Sequence, residues 1–106
     1  MGKTLEQAFD GEELLKIAKD LVAIDSSTTS SARERNVAEY LLNLFKREGI
    51  SARLQEIRDG RGNVIAELEG DKTGKSLMLN GHMDTVPVTG MEDPFGGKIE
   101  DGYLWG

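Results

Sequence analysis

Histidine is the side chain best suited to proton and metal chemistry near neutral pH, and this sequence holds one, His82. It stands in Ser76-Leu77-Met78-Leu79-Asn80-Gly81-His82-Met83-Asp84-Thr85-Val86-Pro87. In an extended segment, residues i and i+2 face the same side, about 6.6 Å apart at ~3.3 Å per residue. Asp84 therefore shares a side with His82. A carboxylate in that place can orient an imidazole, fix its tautomer and raise its basicity, as happens around metal-bound histidines. Gly81 leaves space for a ligand or a second backbone. The competing reading is a histidine satisfied locally beside a turn. The residues alone leave both open.

Other chemistry is narrower. The chain has no cysteine, so it offers neither a disulfide framework nor a thiolate zinc cage. Gly70-Asp71-Lys72-Thr73-Gly74-Lys75-Ser76 has the look of a phosphate-binding loop. It carries three residues between its glycines where four are needed, and a strand, not a helix, is expected next. It is read as a hairpin turn. A net charge of −6 argues against nucleic acid, whose binding rests on phosphate neutralisation. The same charge argues against an anionic membrane surface. No apolar run approaches spanning length, and Met1 to Gln7 lacks the apolar core of a secretory signal. A soluble, cytoplasmic protein is expected.

Positioning the histidine requires a scaffold, and the periodicities supply one. Asp10-Gly11-Glu12-Glu13 predicts a helix start capped by Asp10. Leu14, Ile17, Ala18, Leu21, Val22 and Ile24 give the apolar stripe. The helix is expected to stop near Asp25, where Ser26-Ser27-Thr28-Thr29-Ser30 competes for backbone hydrogen bonds. Ser31-Ala32-Arg33-Glu34 reads as a capping box opening a second helix. Val37, Tyr40, Leu41, Leu44 and Phe45 form its stripe, and Gly49 is placed to end it in the left-handed region.

Beyond Gly49 the period becomes two. Ile50 to Ile57 predicts a strand, Asp59 to Asn63 a turn, and Val64 to Leu68 a second strand. Ser76 to Asn80 is expected to add a third, completing a meander against the two helices. After irregular chain, Lys98-Ile99-Glu100 and Tyr103-Leu104-Trp105 flank an Asp101-Gly102 hairpin turn. Gly106 directly follows an apolar strand, whereas termini are usually polar and loosely held. A fragment is therefore expected.

Leu79 to Pro87 resembles the first metal-site motif of the M20 family of zinc-dependent peptidases and acylases, which includes acetylornithine deacetylase and succinyl-diaminopimelate desuccinylase. Val22 to Ser26, Asp93-Pro94-Phe95, Asp101-Gly102 and Tyr103 to Gly106 also fall where that family has counterparts. The resemblance implies an α/β fold with two N-terminal helices packed on a mixed β-sheet. Residues 1–106 would be the N-terminal part of a zinc-peptidase-like α/β/α catalytic domain. It implies that His82 is a metal ligand and Asp84 a catalytic carboxylate orienting it. The implied centre holds two Zn2+ ions, with Co2+ or Mn2+ as substitutes, and cleaves an amide in an N-acyl amino acid or small peptide by metal-activated water. A homo-oligomer is implied for the complete protein. The remaining metal ligands and the glutamate base of the family are missing from this sequence, so the 106-residue chain is expected to be inactive and to bind metal weakly or not at all. The alternative is a non-catalytic folded module that self-associates through an uncovered sheet edge or apolar face.

Overall fold

The computed structural model describes residues 2–106 and divides into two compact units. One holds the residues up to Ile24 together with Gly90–Gly106, and the other is Asp25–Thr89.

The first unit contains helices α1 (Leu5–Ala8) and α2 (Gly11–Val22) and strands β3 (Lys98–Glu100) and β4 (Tyr103–Trp105). The α1 turn was not anticipated from the sequence. It forms through a reciprocal cap, with Gln7 N donating to Thr4 Oγ1 at 3.2 Å and Thr4 N donating to Gln7 Oε1 at 3.0 Å. The expected Asp10 cap of α2 is present, its Oδ1 accepting from Glu12 N at 3.0 Å and Glu13 N at 3.2 Å. Ile17, Ala18, Leu21 and Val22 are half-buried, as the stripe requires. The helix ends at Val22, a little before Asp25. Asp25 instead turns its carboxylate back to Ser27 N at 3.0 Å, the local competition that serine-rich segments favour. The β3–β4 hairpin pairs Lys98 with Trp105 and Glu100 with Tyr103 across Asp101-Gly102. Both turn residues lie at positive φ, 52° and 80°, the twist a two-residue hairpin needs.

The second unit holds α3 (Arg35–Arg47), β1 (Ser51–Arg58) and β2 (Arg61–Glu67). Helix α3 lies on the antiparallel β1–β2 ladder. Val37 and Ala38 are its buried residues, the only apolar side chains among those described that reach full burial. Gly49 ends α3 as expected, at φ 70°. Its N–H bonds Lys46 O at 3.1 Å while Ile50 N bonds Phe45 O at 2.9 Å, the paired closure of a Schellman motif.

Three expectations are corrected here. Helix α3 begins at Arg35, and its N-cap Glu34 makes no side-chain cap bond. Arg33 sits at φ 47°, which breaks the helix between Ser31 and Glu34, and the Glu34 carboxylate is engaged elsewhere. The β1–β2 turn is the two residues Asp59-Gly60, at φ 53° and 72°, so β2 starts at Arg61 instead of Val64.

The third correction concerns the sheet. Ser76 to Asn80 forms no strand, so the meander is absent and no mixed sheet exists among the described residues. There are two separate antiparallel pairs, and of the two longer helices only α3 shares a unit with the β1–β2 ladder. A strand is stable only when its backbone groups find a neighbour, and this run finds none. Leu77, Met78 and Leu79 are accordingly each more than 80% exposed. The α/β content stands. The Gly70-to-Ser76 segment is a turn in which Asp71 Oδ1 accepts from Thr73 N at 3.0 Å and Thr73 Oγ1 at 2.8 Å, with no helix behind it.

Candidate functional site

Two backbone hydrogen bonds fix the end of the histidine segment. Thr85 N donates to Ser26 O at 3.1 Å and Thr28 N donates to Thr85 O at 3.1 Å, forming an isolated parallel bridge centred on Ser27 and Thr85. The serine-rich loop thus does more than connect two helices. Ser26 and Ser27 are buried, and Ser27 is 2% exposed. A small side chain is needed where two backbones lie this close, and the Ser27 hydroxyl finds Thr29 Oγ1 at 3.3 Å.

On this support His82 and Asp84 meet as their spacing predicted. His82 Nδ1 lies 2.7 Å from the Asp84 backbone oxygen and 3.2 Å from Asp84 Oδ1. Both partners are acceptors, so the proton belongs on Nδ1 and the ring donates from that atom. Nε2 then carries the free lone pair. This is the tautomer and the carboxylate contact that a histidine needs to bind a metal through Nε2. The imidazole is 83% exposed, so its free nitrogen is open to a ligand.

A second pair of charges lies in the same unit, and the sequence reading missed both members. Arg61 Nε donates to Glu34 Oε1 at 2.6 Å, a short charge-assisted bond. The Glu34 side chain is 9% exposed, and its other oxygen, Oε2, is buried with no partner among the described residues. Burial pushes the Glu34 carboxyl up, but the Arg61 hydrogen bond and charge outweigh it and hold the group below the ordinary glutamate value. The same bond raises Arg61 further. Asp84 is electrostatically coupled to both, opposing ionisation of Glu34 and favouring that of Arg61. Glu34 was expected to serve in a capping box and Arg61 to sit in a turn. They lie 27 positions apart, and no local pattern joins them.

As for a metal, no group of three or more His, Asp or Glu side chains among the described residues could hold one. A catalytic zinc takes three protein ligands. His82 with Asp84 would supply one arm at most and does not by itself fit a complete centre. A cavity of about 170 Å³ beside α3 and the β1–β2 hairpin, lined by Glu34, Ala38, Leu42, Leu54 and Gly62, includes neither His82 nor Asp84. It is not the candidate centre. No helix among the described residues is long and apolar enough to cross a membrane.

Comparison with known proteins adds kinship to this geometry. The chain is 40% identical over 90% of its length to a protein of Pyrococcus furiosus named as a LysW-lysine/LysW-ornithine hydrolase. It is 33% identical over 85% of its length to a succinyl-diaminopimelate desuccinylase of Cereibacter sphaeroides. A further relative is a deformylase of Halalkalibacterium halodurans acting on N-formyl-4-amino-5-aminomethyl-2-methylpyrimidine, 27% identical over 90% of the chain. The chain spans about a quarter of the length of these curated relatives, 25%, 24% and 24% in turn. No protein-family model matches it, and no solved structure does.

Proposed function

Because the chain belongs with the M20-like deacylases, we propose that it forms part of a metal-dependent hydrolase that cleaves an amide in an N-acyl amino acid or small peptide. The observation that carries this reading is the His82 ring, donating from Nδ1 to Asp84 and leaving Nε2 free. In this reading His82 contributes one ligand to a zinc centre and Asp84 holds the ring in its binding tautomer. Zinc, when bound, supplies a lowered water pKa and a polarised acyl oxygen. The chain's own residues contribute the imidazole, its orienting carboxylate and the pinned backbone that presents them. The names of the relatives, a LysW-lysine/LysW-ornithine hydrolase, a succinyl-diaminopimelate desuccinylase and a deformylase, support this reading of an amide-cleaving hydrolase.

The 106-residue chain offers one ligand, so on its own it hydrolyses nothing and holds zinc weakly. The product of the complete reading frame is the material for the test. His82→Ala there removes bound zinc, measured by atomic emission, and nearly all amide hydrolysis. Unchanged metal content and turnover in that variant overturn the reading. Asp84→Asn keeps the ring but loosens its hold, lowering metal affinity by about 10–100-fold.

A second reading, a non-catalytic module that self-associates, draws on the bare Leu77-Met78-Leu79 run. It requires that the complete product show no metal-dependent hydrolysis.

A further inference from the structure

Asn80-Gly81 is the one Asn-Gly pair of the sequence, and the hydrolase reading gives it no part. An asparagine followed by glycine can modify itself. The glycine nitrogen attacks the side-chain amide carbon, a five-membered imide closes, and ammonia leaves. Water then opens the imide at either carbonyl, giving aspartate or isoaspartate. The step requires a nitrogen that its own residue does not shield and a backbone free to bend toward the side chain. Glycine, with no Cβ, meets the first requirement. A helix or a strand ladder defeats the second, because it holds the N–H in a hydrogen bond.

Nothing in the fold holds this pair. Asn80 and Gly81 lie outside every helix and strand, and both are exposed. Among the described residues, no hydrogen bond engages the Asn80 amide or the Gly81 N–H. A Cβ on Gly81 would meet no atom within 4 Å, so no neighbour confines the bend. The next backbone hydrogen bond downstream is that of Thr85 with Ser26 and Thr28. The other asparagines are placed differently. Asn36 and Asn43 lie inside α3 and Asn63 inside β2, and each precedes a Val or a Leu. Asn63 also donates from its side-chain nitrogen to Gln55 Oε1 at 3.1 Å.

We propose that Asn80 is a self-modification site, where the folded chain turns the amide into aspartate and isoaspartate with water as the only co-reactant. The bond from Gly81 N to Asn80 Cγ forms as Cγ–Nδ2 breaks, and ammonia carries away the proton of the Gly81 N–H. Hydrolysis restores a peptide N–H and leaves one carboxylate. The product bears one more negative charge, two residues before His82. In the isoaspartyl form the main chain runs through Cγ and gains one carbon between Leu79 and Gly81. The segment carrying His82 is thereby displaced from Leu79, whether or not the ring binds a metal.

The test follows the 106-residue chain at mildly alkaline pH and low concentration, where association does not cover Leu77 to Leu79. Trypsin then releases Asn80 in the 76–98 peptide, apart from the other asparagines. That peptide is expected to gain the mass difference between an amide and an acid, and to split into two isomers. An isoaspartyl methyltransferase should label one of them. Asn36, Asn43 and Asn63 should keep their amides over the same time. The Asp10-Gly11, Asp59-Gly60 and Asp101-Gly102 pairs can isomerise only without that mass change, so they do not enter the readout. Conversion in the native chain should match that of the urea-unfolded chain, because the fold leaves the pair unrestrained. Gly81→Ala, which has room for its methyl group, should lose most of the conversion. An Asn80 amide that survives as long as the other three overturns the proposal. Native-state conversion far slower than in the unfolded chain does so too, as does full-speed conversion in Gly81→Ala.

Discussion

Glu34 shows how one side chain can be diverted from the role its neighbourhood suggests. Ser31-Ala32-Arg33-Glu34 has the pattern of a capping box, yet the carboxylate bonds Arg61 at 2.6 Å and the helix starts late. A charge-assisted bond in a dry place outweighs a cap bond available at the surface. The consequence is readable in pH. The Glu34 carboxyl is held below its ordinary value, so the folded state binds its proton less readily than the unfolded chain does. Its contribution to stability is complete above the ordinary glutamate value of 4.5 and is lost as pH falls through the lowered folded value. Chemical denaturation midpoints measured from pH 6 down to pH 3 should fall in the wild type and fall less steeply in Glu34→Gln. Asp71, lowered first by the Thr73 backbone bond and then by the Thr73 hydroxyl, adds a slope of the same sign that Glu34→Gln leaves in place.

The elements were legible wherever the chemistry that makes them is local. Asp10 capping α2, Gly49 closing α3 and Asp101-Gly102 turning the last hairpin are each decided within a few residues, and each stands as expected. The strand expected at Ser76 to Asn80 was not decided locally, because a strand needs a partner and apolarity alone cannot supply one. The site divided in the same way. His82 and Asp84, two positions apart, could be paired from spacing, whereas Glu34 with Arg61 required the fold. Predictions at this scale follow from backbone geometry. A Cβ on Gly62 would stand 2.5 Å from the Gln55 carbonyl oxygen, inside the β1–β2 ladder and against backbone that cannot swing aside. Gly62→Ala should therefore destabilise the second unit by about 1–3 kcal/mol, the usual range for overpacking. Gly49→Ala meets no atom within 4 Å but must adopt φ 70°. Its cost should be about 1–2 kcal/mol, from left-handed strain alone. Urea titration of both variants separates the two causes: equal and negligible shifts in midpoint would contradict both.

For the whole molecule, the balance of buried and bare apolar surface decides behaviour. Full burial among described apolar residues is confined to Val37 and Ala38, while Leu5, Leu68, Leu77, Met78 and Leu79 are each more than 80% exposed. Contiguous exposed apolar side chains favour association, and an unpaired run of three in sequence is the most concentrated instance. The isolated chain should associate with rising concentration and bind a hydrophobic dye. Leu77→Lys with Leu79→Lys should lower both effects without changing the far-ultraviolet spectrum. Sedimentation velocity gives the outcome, and a wild-type chain that stays monomeric at every concentration contradicts the expectation.

The bridge between Ser27 and Thr85 joins residues roughly sixty positions apart with two hydrogen bonds, so it carries a large loop-closure entropy for few contacts. The α3 closure and the β1–β2 hairpin bring together residues close in sequence and form early on that ground. The histidine corner is then the last part of its unit to assemble and the first to open. In native-state hydrogen exchange the amides of Thr28 and Thr85 should exchange ahead of those in the middle of α3 and β2, at a free energy of opening below that of global unfolding. The residues proposed to carry the chemistry would sit on the least durable joint of the fold, and a ligand gripping His82 would be felt first as slower exchange at those two threonines.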